Sequence, residues 1–341
     1  MVVLAIWVAA CQPTVGTSVR GFAARDGSGT PAPDPSRLVV VADGLVNPRG
    51  LAFGADGALY VAEAGNGGPG EIDLGRKRNH RFGKTGRLTV LDPGAGQRIL
   101  LDGLPSIVTA AREEVGPSGL AVAAGDLYLL TASGGWDMGD RAYDSGVFRL
   151  SRSGSMERIL DLTGFNLTSP ARARREDPRA DVPAGMPYGL AALGQDLYLT
   201  DGNHDVVTRV TLDGRASRVL EYPASDRALT GISAGPDGLL YVAEYVPGKI
   251  TRLSPAGEAS EAAGGFALPI GVAFDRSSRM CVLEYAGLVI CVSADGTRET
   301  VASGLDQATA IVTGPDGDLY VSNHGHQGGD RRGTVVRVSM K

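Results

Sequence analysis

Apolar and polar residues recur along most of the chain in one pattern, a Gly-containing apolar strand, a polar turn such as Pro-Asp-Gly, and a strand of the apolar-Tyr-Val kind. Tyr stands at the same place in five copies, and Cys281 replaces it in the fifth copy along the chain. Such a period, about 40 to 45 residues in a four-stranded blade, is typical of β-propellers. The six copies lie at 48–63, 117–131, 187–201, 229–244, 269–284 and 308–323.

Alternating segments after each copy predict a third strand in every repeat and a fourth strand in five of them. The last repeat ends at 333–340, but segment 37–45, ahead of the first copy, has the pattern of a fourth strand. Pairing of 37–45 with 333–340 closes the ring and removes an exposed sheet edge. The sequence therefore predicts an all-β fold, a six-bladed β-propeller over 37–341.

Composition agrees with a turn-rich globular protein. The 341 residues include 49 Gly and 19 Pro, and 43% are apolar. Frequent turns and few long helices follow from this glycine and proline content. The net charge of −5 argues against a nucleic-acid partner, which requires a basic domain.

The N-terminal segment 1–11 is an apolar run that ends in small residues and Cys11, as in a bacterial lipoprotein signal. It lacks a basic residue ahead of the run, so the recorded start can lie downstream of the true one. Segment 12–36, rich in Gly, Ser, Thr and Pro, reads as a flexible tether. We expect an exported protein, periplasmic, extracellular or anchored in the bacterial envelope, that meets a membrane only through a lipid on Cys11.

Two further cysteines flank a predicted turn centred on Ala286. On adjacent strands Cys281 opposes Cys291, which permits a disulfide in an exported protein. The alternative is a pair of small buried residues, since free cysteine is commonly buried.

The candidate functional residues lie on one face of the predicted propeller. We call it the upper face, where the first strand of each blade begins and the second ends. Arg49 and Tyr188 belong to the innermost ring of this face, and the ends of the second strands form the next ring. That second ring includes Glu63, Asp201, Glu244, Glu284 and Asn323. These side chains either share a Ca²⁺ or Mg²⁺ ion or a cationic ligand, or each acid bonds locally to backbone amides or, at Glu63, to Arg49.

Long connections project from the same face at 64–85, 132–144, 162–186 and 324–332, whereas the opposite turns are short. Long loops on a rigid scaffold usually carry binding. Two histidines, His204 and His324, follow second strands and are candidate general bases or surface residues without a role.

The repeats resemble the ScyD/ScyE-type family of exported bacterial propellers, which are related to NHL-repeat proteins. The resemblance rests on segments such as NPRGLAFGADGALYVAE (47–63) and GPDGDLYVSNHG (314–325). It implies a fold and export more than a reaction. Gluconolactonase-like propellers share the architecture, but their acidic or Asn metal ligands are not reproduced on the inner ring. The sequence pattern of the blade at 187–210 resembles that of virginiamycin B lyase, which is typically seven-bladed.

Three functions remain open from the residues, so whether the chain is an enzyme is undecided at this point. One of them is a structural role, such as an envelope assembly scaffold, and the other two place chemistry on the upper face. The first is a lipid-anchored, monomeric propeller that binds a small molecule, a glycan or an envelope protein at its upper face. The second is a metal-assisted lyase or hydrolase that uses the second-ring carboxylates with His204 or His324.

Overall fold

The strands form six antiparallel sheets, as the repeats predict. This computed structural model describes residues 37–73, 79–109, 112–133, 141–151, 154–172, 185–222, 226–326 and 332–341. The predicted signal segment and tether, 1–36, lie outside the described residues. So do the central parts of three predicted upper-face loops, 74–78, 134–140 and 173–184, and the end of the fourth, 327–331.

Each sheet is one blade, and its strands are paired in chain order from the channel outwards. Blade one contains β2 (Pro48–Phe53), β3 (Leu59–Glu63), β5 (Asn79–Asp92) and β6 (Gly96–Val108), with β4 (Gly70–Asp73) paired to β5 and β7 (Glu114–Val115) paired to β6. Blade two contains β8 (Pro117–Ala123), β9 (Asp126–Thr131), β10 (Gly146–Leu150) and β11 (Met156–Asp161). Blade three contains β12 (Pro187–Leu193), β13 (Asp196–Asp201), β14 (Val206–Thr211) and β15 (Ala216–Glu221).

The other half of the ring follows the same plan. Blade four contains β16 (Leu229–Ala234), β17 (Leu240–Glu244), β18 (Lys249–Leu253) and β19 (Ala259–Gly264). Blade five contains β20 (Pro269–Phe274), β21 (Met280–Glu284), β22 (Val289–Val292) and β23 (Arg298–Ala302). Blade six contains β24 (Ala310–Thr313), β25 (Leu319–Asn323), β26 (Gly333–Val338) and β1 (Leu38–Leu45).

The closure of the ring is confirmed. Strand β1 pairs antiparallel with β26, from Leu38 opposite Val338 to Leu45 opposite Gly333. Blade six therefore takes its outer strand from the start of the propeller and its other three from the end. Leu45 lies at the upper face, where β2 begins, so the chain enters the propeller at the opposite, lower face.

Two predicted loops contain regular structure. In the connection 64–85, β4 pairs with the first part of β5 as a hairpin, because backbone hydrogen bonds hold two strands without requiring an apolar face. The connection 162–186 begins with α1 (Leu162–Thr168), whose first turn is capped by the Asp161 carboxylate accepting from the Gly164 amide at 2.9 Å. A 3₁₀ turn covers Arg141–Tyr143. No helix among the described residues has the length and apolar character needed to cross a bilayer.

The repeated tyrosine fastens one blade to the next. The Tyr241 ring meets Phe274 of blade five edge-on at 4.7 Å between centroids, and its hydroxyl donates to Asp237 of the preceding turn at 2.9 Å. Tyr320 repeats this arrangement with Phe53 and Asp316. Tyrosine and the Pro-Asp-Gly turn therefore occur together because each supplies the other's partner.

The fifth blade replaces this tyrosine with a buried disulfide between Cys281 and Cys291, which face each other on β21 and β22. The pairing register is the one expected from the turn at Ala286.

Glycines set the width of the central channel. A Cβ on Gly50 would lie 2.8 Å from the Cα of Gly119, and one on Gly231 would lie 2.7 Å from the Cα of Gly271. The innermost strands of these neighbouring blades therefore touch through their backbones.

Candidate functional site

The acids at the ends of the second strands are buried where the sequence places them, on the upper face. We call Glu63, Asp201, Glu244 and Glu284 the strand-two acids; their residues are at most 4% exposed. Each ends its strand opposite the first residue of strand one, as Glu63 lies opposite Pro48.

Three of these acids and Asn323 share one structural task. The side-chain oxygen of each accepts a hydrogen bond from a backbone amide 15 to 17 residues earlier, in the connection that leads into strand one. The donor and acceptor pairs are Val46 with Glu63 (2.6 Å), Met186 with Asp201 (3.0 Å), Ala267 with Glu284 (2.7 Å) and Asp306 with Asn323 (2.7 Å). A repeated latch therefore fixes the entry to each of these blades.

Two of the strand-two acids accept further hydrogen bonds from arginine and hydroxyl groups. Glu63 accepts from Arg87 Nε at 2.9 Å and from the Thr89 hydroxyl at 2.5 Å. Glu244 accepts from Tyr222, Arg227 and Thr251 at 3.0, 2.5 and 2.5 Å. The cation at Glu63 is therefore Arg87, whereas the sequence suggested Arg49.

Asp201 and His204 form a buried ion-pair partnership. His204 Nδ1 lies 2.8 Å from Asp201 Oδ2, while the other carboxylate oxygen accepts from three backbone amides, those of Met186, Asn203 and His204. Burial works to raise the pKa of Asp201, but His204 and the amides outweigh it and lower that pKa. The pair holds the connection into β12 in place.

Glu284 and His324 differ from these. Burial raises the pKa of Glu284, and the Ala267 amide opposes that rise only in part. The His324 ring is half-buried, and its Nδ1 lies 3.6 Å from the exposed Asp306 carboxylate. Neither joins another predicted site residue in a common cluster.

The described residues do not fit a divalent metal among the strand-two acids. Among the described His, Cys, Asp and Glu side chains, three potential ligand atoms lie within 4.8 Å of one another only at Asp275, Cys281 and Cys291. Two of those three are the sulfurs of the disulfide, which are not thiolate ligands. The predicted shared carboxylate site is therefore not assembled by the described side chains.

A different group of residues meets at the upper end of the channel. There a cavity of about 30 Å³, here called the upper cavity, opens towards the upper face. Four blades contribute to it. Its lining includes Arg49, Glu113, Glu114, Ser118, Met186, Tyr188 and His326.

Arg49 is the centre of this group. Its guanidinium donates to the Glu114 carbonyl oxygen at 2.8 Å and to His326 Nε2 at 2.6 Å. The Glu114 carboxylate lies 3.9 Å away and 3.1 Å from His326 Nδ1. Arg49 Nη2 also lies 3.1 Å from Nδ1. We place the imidazole proton on Nδ1 because the Glu114 carboxylate can only accept, and Nε2 then accepts from arginine. The histidine is therefore neutral and links the two charged residues.

Burial and charge support this assignment. Burial and the neighbouring Arg49 charge lower the pKa of His326. Burial alone would raise the pKa of Glu114, but His326 and Arg49 outweigh it, so that pKa is lowered. Around neutral pH the network consists of a cation, a neutral imidazole and a carboxylate.

Glu113 is the exception among the buried acids. Its side chain lines the upper cavity and its Oε1 is buried without a hydrogen-bond partner. Burial raises its pKa to about 7, the negative Glu114 adds to the rise, and Arg49 and Thr109 oppose it. Glu113 therefore changes protonation state in the neutral range, with one oxygen still available.

Aromatic side chains border this end of the channel. The Tyr188 hydroxyl donates to the Thr309 carbonyl at 2.9 Å and so joins blade three to the start of blade six. The Tyr285 ring of blade five stands edge-on to His326 at 5.9 Å between centroids. The site is thus a small polar centre with apolar walls, the usual character of a small-molecule pocket.

Of the predicted residues, the structure places Arg49 and Tyr188 together in the upper cavity. The strand-two acids, Asn323 and His204 instead hold the blades. Sequence reasoning missed Glu113, Glu114 and the role of His326, and two signals pointed to them. An acidic pair stands shortly before the blade-two repeat, and a second histidine follows His324 in the Asn-His-Gly-His sequence.

Comparisons with known proteins identify the fold. No protein-family profile matches the chain, and no curated protein sequence matches it. Several solved structures are similar to it in fold. A streptogramin B lyase has 16% identity and a TM-score of 0.53, covering 89% of this chain and 97% of its own. A gluconolactonase from Xanthomonas campestris has 15% identity and a TM-score of 0.58, covering 89% of each chain.

A third similar structure is regucalcin from Agrobacterium tumefaciens, described as a calcium-binding protein. It has 14% identity and a TM-score of 0.56, covering 88% of this chain and 92% of its own. Identities this low show shared architecture alone. The chain is a six-bladed β-propeller that resembles lyase, gluconolactonase and regucalcin propellers.

Proposed function

We propose that this chain is an acid–base enzyme, of lyase or hydrolase type, whose reaction takes place at the upper cavity. The observation that carries the proposal is Glu113, a buried carboxyl with a raised pKa and an unpartnered oxygen beside a buried arginine. Burying such a group is costly to the fold, and clefts that contain one are candidate active sites.

The geometry suggests a division of labour. Glu113 transfers a proton at its Oε1, since a group titrating near neutrality both donates and accepts efficiently. Arg49 stabilises negative charge that develops on a substrate oxygen, and its burial strengthens that effect. His326 and Glu114 keep the guanidinium oriented. In ester hydrolysis, water adds to the carbonyl carbon, the bond to the leaving oxygen breaks, that oxygen takes its proton from Glu113, and the proton lost by the water restores Glu113. In elimination the ester oxygen leaves as a carboxylate, which needs no proton, and ionised Glu113 instead accepts the proton removed from carbon.

Similar propellers support the reaction class, since two of them are a streptogramin B lyase and a gluconolactonase. Regucalcin is calcium-binding, so Ca²⁺ or Mg²⁺ belongs among the ions to test. Because the described donors do not fit such an ion, we assign no catalytic step to it.

The test is turnover of cyclic esters, with a streptogramin B and glucono-lactone as the first probes, over pH 5 to 9. If Glu113 acts as the acid, the rate falls as pH rises above about 7. Glu113→Gln is expected to lose at least 100-fold in rate. Thr109→Val is expected to move the profile to higher pH, because the Thr109 hydrogen bond lowers the Glu113 pKa. An unchanged Glu113→Gln rate would contradict the proposal.

A second candidate is a binding propeller without catalysis. The aromatic border at Tyr188 and Tyr285 favours it, since such rings suit a sugar or a planar small molecule. A glycan, a small molecule or an envelope protein is then the partner. Ligand binding without turnover in the wild-type chain, and equal binding by Glu113→Gln, would favour this candidate.

We also propose an exported, monomeric protein of the ScyD/ScyE type, anchored through Cys11. The disulfide Cys281–Cys291 supports export, because such bonds persist in oxidising compartments. The chain enters the propeller at Leu38 on the lower face, opposite the upper cavity. Labelled fatty acid should enter the wild-type chain and not Cys11→Ala, and light scattering should give one chain per particle.

A further inference from the structure

The upper cavity contains a fixed cation at the end of the channel. The Arg49 side chain is 7% exposed, and its partners there are a carbonyl oxygen, a neutral imidazole and one carboxylate oxygen at 3.9 Å. That carboxylate, of Glu114, also accepts from His326. The guanidinium charge is therefore incompletely paired at this short range, and a desolvated cation favours an anionic partner.

Glu113 supplies the complementary feature. The residue lines the same cavity and its Oε1 has no hydrogen-bond partner, and below pH 7 the group is a neutral carboxyl with a proton to donate. A protonated carboxyl and a guanidinium both donate to oxygen. An oxygen-bearing anion accepts from both at once, and a carboxylate has the planar pair of oxygens that arginine recognises.

The size of the cavity limits how much of a ligand can enter. About 30 Å³ admits a group of very few atoms. Apolar walls from Met186 and Tyr188 exclude water around that group.

We infer that the upper cavity binds the carboxylate end of a small molecule, with Arg49 as its cation in the place of a metal ion and Glu113 as its proton donor. This inference rests on the proposed function and names the class of product that the site holds, because cleavage of a cyclic ester releases a carboxylate. The ligand enters together with one proton on Glu113, because charge repulsion between two carboxylates opposes binding when Glu113 is ionised. Among the described residues that line the cavity, Glu114 carries the other negative charge, and the remaining titratable groups are His326 and Tyr188.

Titration calorimetry on the full chain provides the test, with propionate as probe, propionamide as its neutral isostere and calcium chloride as the metal probe. Propionate should bind at pH 6 and up to about tenfold more weakly at pH 8. Buffers of different ionisation enthalpy should show uptake of one proton near pH 8, where free Glu113 is ionised. Propionamide and calcium should give no comparable binding at this site.

Variants separate a binding role from a structural one. Arg49→Met should abolish propionate binding, and Arg49→Lys, which keeps the charge if the methionine variant fails to fold, should weaken it severalfold. Glu113→Gln should bind propionate with a flat pH dependence. The surface variant Arg209→Met, which removes an arginine paired with Asp196, is the matched control and should bind as the wild type does.

Equal binding of propionamide, full binding by Arg49→Lys and Arg49→Met, or calcium binding that Arg49→Met leaves unchanged would overturn the inference. Its failure is distinct from failure of the enzyme proposal. Turnover with the Glu113 pH profile but without propionate binding removes this inference alone. Propionate binding without any turnover leaves a carboxylate-binding propeller and removes the enzyme proposal alone.

Discussion

Two sets of buried acids on the same face of the propeller have opposite surroundings. Glu63 is completely buried and receives a backbone amide, a hydroxyl and a guanidinium. Glu113 is almost as buried but keeps one oxygen without a partner, and its pKa rises to about 7. Burial therefore does not separate structural from functional acids on this face. The number of partners does, because a fully bonded carboxylate has nothing left to offer a ligand.

Removing a fully bonded acid should have the largest effect. Glu63→Ala leaves the Arg87 cation buried without its carboxylate and removes the acceptor of the Val46 amide. We expect a loss of about 3 to 5 kcal/mol in the free energy of unfolding, measured by chemical denaturation. Glu261→Ala, at a half-exposed acid paired with Lys249, is the control and should lose less than about 1 kcal/mol. Similar losses in both variants would contradict the distinction.

Glu113→Gln should act in the opposite direction. The folded protein holds the Glu113 proton up to about pH 7, whereas the unfolded chain releases it near 4.5. The folded state therefore binds more protons between these values, and this group makes stability fall as pH rises from 4.5 to 7. The shift corresponds to about 3 kcal/mol. Glutamine cannot ionise and so avoids this loss of stability, and the variant should be about 1 to 3 kcal/mol more stable than the wild type at pH 8.

The same comparison at pH 4 checks the cause, because Glu113 is then protonated in the folded protein and largely so in the unfolded chain. The gain from Glu113→Gln should nearly vanish there. A gain of equal size at both pH values would assign it to packing instead of ionisation.

Asp201→Asn tests a fully bonded acid whose pKa is lowered. The ionised form is favoured in the folded protein, so Asp201 contributes stability that is present above its ordinary pKa of 3.8 and lost as pH falls through the lower folded value. We expect a loss of about 1 to 3 kcal/mol at pH 7 and a smaller loss at pH 3. Asp306→Asn, at the exposed His324 pair, is the matched control and should change stability little.

The fold was predictable because the residues that determine each blade recur in every repeat. Gly50 and its equivalents, the tyrosines and the turns recur at fixed places, so strand order and closure follow from alignment of the copies. Arg49 and Tyr188 were predictable site residues for the same reason, since the repeat fixes their place on the inner ring.

The rest of the site lies where the repeat gives no register. Glu113 and Glu114 stand in a connection, and the His324 backbone adopts a positive φ of 56° before the chain returns His326 to the channel. The number of hydrogen-bond partners of each buried acid also could not be predicted from the sequence. It placed Glu63 on the upper face, but Arg87 and Thr89, which neutralise and bond it, come from the next strand outwards.

Tyr188→Phe should have the smallest effect and shows where the ligand site ends. Its hydroxyl donates to the Thr309 carbonyl across the channel, so removal should cost about 0.5 to 1.5 kcal/mol of stability. Because the hydroxyl already has this acceptor while Arg49 and Glu113 provide the polar contacts, propionate affinity at pH 6 should stay within twofold of wild type. A tenfold loss of affinity without a larger loss of stability would extend the polar site to Tyr188. The number of hydrogen-bond partners, which distinguishes Glu63 from Glu113, would then not predict whether the uncharged Tyr188 hydroxyl contacts the ligand.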